Sequence, residues 1–406
     1  MNKVKEPKIK TAPRISLNIW KFTWSAVLKA LSKGSLRVIN SDGTVSSYGE
    51  KSEQPALMEI HDASFYRKVI LGGSVALGEA YVEGLWSSPD LSKLLVVLSG
   101  NCEKFGFLQK GISFFSRLMN RGLHLLRRNS KKKSLSNIQA HYDLSNEFYK
   151  TFLDQTMTYS SALFEGQEMS LESAQINKIK RILDLSEIDS GNRILEIGSG
   201  WGALAIEAAQ RGCLVKTITL SKEQFDLTQA RISEAGLEGS IEIHMQDYRE
   251  ERGLYDAVIS CEMIEAVGQE YLEEYFKVIR KALKPKGRAV IQAITIRDQD
   301  YEDYARSCDW IQKHIFPGGH LPSMGIIEKH IASIPDFEIS EVASFGQDYA
   351  KTLTLWQENF LKAKSEVSRL GFDEAFQRKW NYYFSYCIAG FTNRMIDVRH
   401  IVFERK

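Results

Sequence analysis

A dense run of aromatic side chains surrounds a single thiol near the C-terminus, in WNYYFSYCIAGF at residues 380–391. The residues concerned are Trp380, Tyr382, Tyr383, Phe384, Tyr386, Cys387 and Phe391. The faces of aromatic rings attract cations through their quadrupoles. Such a run could line an apolar pocket that keeps a positively charged group away from water. The alternative is that the rings are ordinary hydrophobic core, and the segment alone leaves both interpretations open.

A second candidate site is the glycine-rich turn LEIGSGWG at residues 195–202, between a predicted strand and a predicted helix. Glycine lets the backbone approach a ligand closely, and a helix N-terminus offers free N–H groups. The third glycine comes too early for the GxGxxG of dinucleotide-binding proteins, and Glu196 precedes the first glycine. This arrangement resembles S-adenosylmethionine-dependent methyltransferases, in which the loop holds the methionine end of the cofactor.

The resemblance implies further cofactor contacts. Many such enzymes bind the ribose through an acidic residue at the end of the second strand, but this chain has TLSKEQ (219–224) there. The segment 247–249 after the third strand is placed for the adenine end. No metal site is predicted. The predicted cofactor-binding residues are Tyr159, Ser160, Glu196, Gly198, Gly200, Trp201, Gly202, Thr219, Leu220, Gln224, Asp247, Tyr248 and Arg249.

The elements that must position these residues alternate between strand and helix from residue 193 onwards, which is typical of a mostly parallel sheet with helices on both faces. Segments 336–346 and 399–406 are predicted as late strands at one edge of the sheet. Residues 300–330 and 348–395 are predicted as mostly helical insertions. The predicted fold class is therefore α/β, a Rossmann-like S-adenosylmethionine methyltransferase fold with helical insertions, preceded by a small, mostly helical N-terminal domain.

A basic, Ser-rich stretch at 127–137 predicts a linker, and we place the domains at 1–135 and 136–406. The first domain holds 22 Lys or Arg against 10 Asp or Glu, although the whole chain has a net charge of +2. Residues 15–31 and 107–128 have apolar residues at helical spacing beside basic ones, so they are either membrane-surface helices or covers for the domain's own core. Asp42-Gly43 predicts the turn of a hairpin. The charge excess favours a lipid- or membrane-binding domain.

Several classes of protein are disfavoured by composition. The five cysteines are widely spaced, which argues against a disulfide framework or a zinc site. The N-terminus has no apolar segment typical of a signal peptide, and no apolar run approaches the ~20 residues of a spanning helix. Nucleic-acid binding would predict a recognisable reading element, and none is found. The sequence predicts a cytoplasmic protein, peripheral at the inner membrane surface.

Seven motifs in order closely resemble cyclopropane-fatty-acid synthases and the related cyclopropane mycolic acid synthases, over residues 137–406. They are HYDLSNEFYKTFLDQTMTYSSALF (141–164), LEIGSGWGALA, TLSKEQ, EMIEAVG (262–268), IFPGGHLPS (315–323), TLTLWQENF (352–360) and YYFSYCIAGF. LGEAYVEGLW in the first domain resembles the bacterial fatty-acyl-phospholipid branch. The resemblance implies that a methylene group from S-adenosylmethionine is added across a cis double bond of a phospholipid acyl chain, through a carbocation.

The resemblance also implies a bound bicarbonate as the base, with side-chain ligands Glu265, Tyr349 and Gln292 and main-chain contacts near Ser161 and Cys261. Two positions depart from the family, because Ser161 replaces a frequent cysteine and Gln292 a frequent histidine. Glutamine can donate a hydrogen bond to an anion but cannot carry a proton. A proton relay through this position is therefore in doubt.

Three points stay open. Cys387 matches a family cysteine sometimes marked as active, but alkene methylation needs no thiolate, so we interpret it as pocket lining. A sister C-methyltransferase that gives methyl-branched or methylene acyl chains is the alternative function. The expected partner is the phospholipid bilayer, and a homodimer is one option for the oligomeric state.

Overall fold

The computed structural model describes residues 14–104, 144–166 and 168–406, with side chains from residue 19 onwards. The chain forms two compact units, Met1–Arg117 and Leu118–Lys406. Their division lies outside the described residues, as do the predicted boundary at 135, the predicted linker at 127–137 and the basic stretch at 107–128. These boundaries and the role of that stretch stay predictions.

The N-terminal unit combines helices with a four-stranded sheet in the order β2-β1-β3-β4. The predicted hairpin is confirmed, because β1 and β2 pair antiparallel around the Asp42-Gly43 turn. β3 adds parallel to β1 and β4 antiparallel to β3, and neither strand was predicted. The elements are α1 (Arg14–Leu28), β1 (Ser35–Ile39), β2 (Val45–Gly49), β3 (Ala56–Ile60), α2 (Ser64–Val82), β4 (Trp86–Ser87) and α3 (Leu91–Ser99).

Helix α1 presents two different apolar surfaces. Trp24 and Leu28 are buried, and the Trp24 ring meets the Phe65 ring edge-on at 5.2 Å, so this face covers the core of its own unit. Ile19 and Phe22 are 61% and 71% exposed. The core-covering alternative therefore holds for one face of α1, while the other face leaves two large apolar side chains in solvent.

The C-terminal unit is built on a seven-stranded sheet in the order β10-β11-β9-β8-β5-β6-β7. β5 to β9 run parallel, and β11 pairs antiparallel with both β9 and β10, which confirms the predicted sheet and its late edge strands. The elements are α4 (Asn146–Lys150), α5 (Leu171–Leu185), β5 (Arg193–Ile197), α6 (Ala203–Gln210), β6 (Leu214–Thr219), α7 (Lys222–Glu234), β7 (Ile241–Met245), β8 (Tyr255–Cys261), α8 (Leu272–Ala282), β9 (Leu283–Ile296), α9 (Asp298–Ala305), α10 (Trp310–His314), α11 (Met324–Ile331), β10 (Phe337–Ser344), α12 (Gly346–Lys362), α13 (Lys364–Arg369), α14 (Glu374–Thr392) and β11 (Ile396–Arg405).

Both faces of this sheet are covered. Ile194 packs in one hydrophobic cluster with residues of α5 and α6, and its neighbour Leu195 packs in another with residues of α8 and α11. Successive side chains of a strand point to opposite faces, so β5 has helices on both sides. The order reverses beside β5, with β6 on one side and β8 on the other. Open α/β sheets bind ligands in the crevice at the carboxyl ends of strands at such a point.

The insertions predicted at 300–330 and 348–395 are helical, as α9 to α14. None of the helices in the described part of the chain combines the length and apolar character needed to cross a membrane.

Candidate active site

A cleft opens at the carboxyl ends of β5, β6 and β8, where the glycine-rich turn lies. Gly200 has φ +48°, and a Cβ built on it would meet no atom within 4 Å, because it would project into open space. Gly202 has φ +87°, and its Cβ would come within 2.8 Å of Thr228 Cγ2. Glycine at position 200 therefore leaves space for a ligand to approach the backbone, and glycine at position 202 allows the turn to pack against α7.

Most of the predicted cofactor-binding residues line this cleft: Tyr159, Ser160, Glu196, Gly198, Gly200, Trp201, Thr219, Leu220, Gln224 and Tyr248. Gly202, Asp247 and Arg249 do not. Gly202 precedes the first turn of α6. Arg249 Nη2 lies 2.5 Å from Asp247 Oδ2, and the pair is buried. The assignment of these three residues to the cofactor stays a prediction.

Glu196 is buried beside the turn. Its Oε2 atom has no hydrogen-bond partner among the described residues, and burial raises the pKa of the carboxyl to about 8, although the nearby Thr217 hydroxyl and the charge of Lys178 oppose this shift. A buried acceptor without a partner is costly unless a ligand satisfies it. The open turn and this acceptor fit S-adenosylmethionine, which Glu196 and the backbone of Gly198 and Gly200 would hold.

Lys178 on α5 is a buried lysine that was not predicted from the sequence as a site residue. Its Nζ atom donates to Ser160 Oγ at 2.6 Å and lies 3.5 Å from Cys261 Sγ. The signal in the sequence is that Lys178 falls on the apolar face of α5, four residues from both Ala174 and Ile182. Lysine is almost never fully buried without a partner, and here it lines the cleft.

Glu262 was also not predicted from the sequence. It lines the cleft and is the centre of a cluster of hydrogen bonds. Its Oε1 atom accepts from the Ser161 N–H at 2.8 Å and from Gln292 Nε2 at 2.7 Å. Its Oε2 atom accepts from Tyr349 Oη at 2.6 Å. Three residues predicted to surround bicarbonate therefore meet on a side-chain carboxylate. The available signal was an acidic residue at the carboxyl end of a parallel strand, where ligands bind.

Glu265 lies in the same turn after β8, but its carboxyl group does not share the hydrogen bonds of Glu262. Its Oε1 atom accepts from the Ile294 N–H at 2.5 Å, and its Oε2 atom has no partner among the described residues. Burial raises the pKa of Glu265 to about 8, and the nearby charge of Glu262 adds to the shift. Glu265 therefore carries a proton at neutral pH.

Gln292 is held in turn by His400 on the neighbouring strand. His400 Nε2 lies 2.9 Å from Gln292 Oε1. An amide oxygen only accepts, so Nε2 must carry the proton. Burial lowers the pKa of His400 to about 3, so the ring is neutral. This contact fixes the amide so that its NH₂ group faces Ser161 O at 3.2 Å and Glu262.

The C-terminal aromatic run divides between core and site. Trp380 packs 4.8 Å from the Phe148 ring, Phe384 5.4 Å from the Phe152 ring, and Tyr382 4.7 Å from the Trp310 ring. These three rings belong to buried aromatic clusters, as the core interpretation predicted.

Other aromatic residues of the run contact side chains at the cleft or around Glu262. Tyr383 Oη is 3.0 Å from the hydroxyl of Tyr159, which lines the cleft. Phe391 packs 4.6 Å from the Tyr349 ring, and Trp356 meets that ring at 6.1 Å. Burial raises the pKa of the Cys387 thiol far above its ordinary value, so this thiol stays protonated and is a poor nucleophile. This argues against a nucleophilic role for Cys387, and its role as pocket lining stays a prediction.

Metal-ligating side chains do not cluster in the described part of the chain. There, no group of three or more His, Cys, Asp or Glu side chains is placed to hold a metal ion, and the five cysteines are free thiols. What the site combines is a ligand cleft, a buried carboxylate held by neutral donors, and aromatic rings.

Comparison with known proteins gives one consistent result. The family model for mycolic acid cyclopropane synthetase matches residues 129–401. Tuberculostearic acid methyltransferase UfaA1 of Mycobacterium tuberculosis is 38% identical, over 89% of this chain and 86% of its own length. The cyclopropane-fatty-acyl-phospholipid synthase of Escherichia coli is 34% identical, over 86% of this chain and 88% of its own.

Solved structures agree with the sequence relatives. The cyclopropane synthase MmaA2 of M. tuberculosis superposes with a TM-score of 0.63 at 31% identity, over 67% of this chain and 98% of its own. The mycolic acid cyclopropane synthase CmaA1, complexed with SAH and CTAB, gives a TM-score of 0.63 at 29% identity, with the same coverage.

Proposed function

Because the chain belongs to the mycolic acid cyclopropane synthetase family of S-adenosylmethionine-dependent methyltransferases, we propose that it adds a methylene group across a cis double bond of an unsaturated phospholipid acyl chain. The product is a cyclopropane ring. The observation that carries this proposal is the position of Glu262, which lines the glycine-turn cleft and accepts a hydrogen bond from Tyr349, whose ring packs against Phe391.

The chemistry needs this combination. S-adenosylmethionine supplies an electrophilic methyl group, and an alkene is a weak nucleophile, so holding the two in line contributes much of the rate. The acyl chain becomes a carbocation, which the aromatic rings stabilise by ~0.5–2 kcal/mol each. Tyr349 is buried, as are Trp356 and Phe391, so this side of the site excludes water that would quench the cation.

Ring closure needs an anionic base beside the cation. The resemblance assigns this role to bicarbonate, with Glu265, Tyr349 and Gln292 as its ligands. Tyr349 and Gln292 do converge on one anionic position, next to which Glu265 is protonated. The base would therefore act at this position, which the carboxylate of Glu262 occupies in the structure.

We also propose that the N-terminal unit attaches the enzyme to an anionic bilayer surface. Its excess of basic residues supplies electrostatic attraction of ~1 kcal/mol for each Lys or Arg near the surface. The exposed Ile19 and Phe22 on α1 supply apolar side chains that can enter the interface. Attachment would keep the enzyme peripheral at the inner membrane surface, from which an acyl chain would have to reach the pocket.

The alternative product is a methyl-branched or methylene acyl chain. Two observations favour it: Gln292 stands where the family often has histidine, and the relative with 38% identity is named a tuberculostearic acid methyltransferase. The two functions share methyl transfer and differ in how the cation is resolved.

The deciding experiment is analysis of phospholipids after reaction with the purified enzyme and S-adenosylmethionine. We expect a mass gain of one CH₂ on monounsaturated chains, with high-field cyclopropane protons in the NMR spectrum. Vinylidene or methyl-doublet signals in place of ring protons would establish the alternative product. Release of S-adenosylhomocysteine without any modified lipid would refute both.

A further inference from the structure

We propose that the carboxylate of Glu262 is itself the base that removes the proton from the newly added methyl group, in place of a free bicarbonate ion. This inference rests on the proposed function and names the anion at its centre. It makes Glu262 a catalytic residue and gives Tyr349, Gln292 and the Ser161 N–H the role of holding its carboxylate.

Glu262 has the shape of the anion that it would replace. Bicarbonate and a carboxylate both present a planar O–C–O group that shares one negative charge, so donors arranged for one can bind the other. Here the donors come from β9, from α12 and from the segment before α5, and they are satisfied by Oε1 and Oε2 of Glu262 at 2.6–2.8 Å.

The protons of the hydrogen-bond donors around Glu262 are fully used. Tyr349 has one hydroxyl proton, which goes to Glu262 Oε2. Gln292 has two amide protons, which go to Glu262 Oε1 and Ser161 O. The Ser161 N–H goes to Glu262 Oε1. A second anion at this point would find none of these protons available and would lie against a like charge.

The location of Glu262 also suits a base. Glu262 lines the cleft. A Cβ on Gly198 would come within 3.1 Å of the side chain of Met263, the residue after Glu262, so this segment touches the turn that would hold the methyl donor. On its other side Glu262 bonds to Tyr349, whose ring packs against Phe391. Glu262 therefore lies between donor and cation-stabilising rings.

Two neighbouring carboxyl groups, those of Glu262 and Glu265, divide the negative charge and the proton between them. Glu262 accepts hydrogen bonds from three donors, two of which are side chains, whereas the contacts that stabilise the ionised form of Glu265 come from backbone N–H groups, first that of Ile294. Two neighbouring buried carboxylates repel each other, so the carboxylate with more hydrogen-bond donors keeps the negative charge and the other carboxyl group keeps the proton. Glu265 is the protonated member, and Glu262 is free to accept a proton.

The step balances without another reactant. The π electrons of the alkene form the new carbon–methyl bond while the methyl–sulfur pair stays on sulfur, and the other alkene carbon becomes cationic. Glu262 takes a proton from the methyl group, and the C–H pair forms the second ring bond. The protonated Glu262 then loses its proton to solvent when product leaves.

A pair of variants tests this. Glu262 has φ +48°, a conformation that glycine adopts without strain, so Glu262→Gly removes the base and leaves space in an otherwise compatible backbone. We expect its turnover to fall by about 10²–10⁴-fold in bicarbonate-depleted buffer and to recover in part on adding bicarbonate or formate, with chloride as the control anion.

Glu262→Gln fills the space with an amide and should be inactive with or without added anion.

The wild-type enzyme should keep its full rate when bicarbonate is removed. A wild-type rate that depends on bicarbonate, or either variant turning over at the wild-type rate in depleted buffer, would overturn the role of Glu262. Wild-type enzyme that modifies no lipid in any buffer would instead refute the proposed function. Calorimetric binding of S-adenosylmethionine and thermal melting establish that each variant is folded, and if the glycine variant is not, the glutamine variant decides.

The pH dependence of kcat gives an independent test. Burial raises the pKa of Glu262 above its ordinary range, and its hydrogen bonds from Tyr349, Ser161 and Gln292 oppose the shift. The rate should therefore fall as pH drops through this raised pKa, because the protonated carboxyl cannot act as a base. The titratable groups facing it are Lys178, Cys261, Glu265, Tyr349, Tyr383 and Cys387.

Tyr349→Phe removes one donor to the carboxylate, so the acidic limb of the profile should move to higher pH. A purely structural role for Tyr349 would lower the rate without moving the limb. A limb at or below the ordinary pKa of glutamate, unmoved by this variant, would contradict the proposal.

Discussion

Valine in place of Gly200 is expected to abolish binding of S-adenosylmethionine while leaving the fold intact. Gly200 lies in the turn between β5 and α6, and a Cβ there would project into the cleft without touching any protein atom within 4 Å. The valine methyl groups would therefore occupy the space of the ligand rather than that of the core. We expect an affinity loss of more than about 100-fold by titration calorimetry, equivalent to about 3 kcal/mol.

Gly236→Val is the matched control for backbone strain. Gly236 follows α7, has φ +65° and likewise has no neighbour within 4 Å of a built Cβ, but it does not line the cleft. Both variants place a branched residue in a left-handed conformation, which costs on the order of 1–2 kcal/mol. Similar melting temperatures with binding lost only in Gly200→Val would support the assignment, and unchanged binding in Gly200→Val would remove it.

Changing Ile19 and Phe22 together to glutamate is expected to reduce activity on anionic vesicles by about 100-fold at limiting lipid. Withdrawing two large apolar side chains from a bilayer interface costs about 3 kcal/mol or more, and each added negative charge is repelled by the surface. Both residues are exposed on α1, so the change should leave the N-terminal unit folded. Vesicle co-sedimentation and product formation on the same vesicles measure the effect.

Leu254→Glu provides the control for this change. Leu254 is 49% exposed and directly precedes β8, at the opposite end of the strand from the cleft. The control should bind vesicles like the wild type, and both proteins should bind S-adenosylmethionine normally. A double variant that sediments and reacts like the wild type would show that α1 does not reach the membrane, and that the basic excess has another partner.

The sequence by itself determined the catalytic fold, because each element of the sheet carries a local signal. Strands such as 193–197 are short apolar runs, helices such as α8 repeat apolar residues at helical spacing, and glycine marks the turn between β5 and α6. The hairpin around Asp42-Gly43 was predicted for the same reason. β3 and β4 were not. β4 has only two residues, and β3 pairs parallel with β1 rather than across a tight turn, so no local turn signal marks it.

Only the tertiary structure decided what the site residues bond to. Glu262 meets Ser161 from 101 positions before it and Tyr349 from 87 positions after it, and nothing in the local sequence encodes such contacts. The same limit explains the aromatic run on α14. The sequence shows that Trp380 and Tyr383 are aromatic residues of one predicted helix. Only the structure shows that the Trp380 ring packs against Phe148 in the core, whereas the Tyr383 hydroxyl contacts that of Tyr159 at the site. Sequence sets which side chains are available, and the distances between them are fixed only when the sheet, its helices and the insertions close around one point.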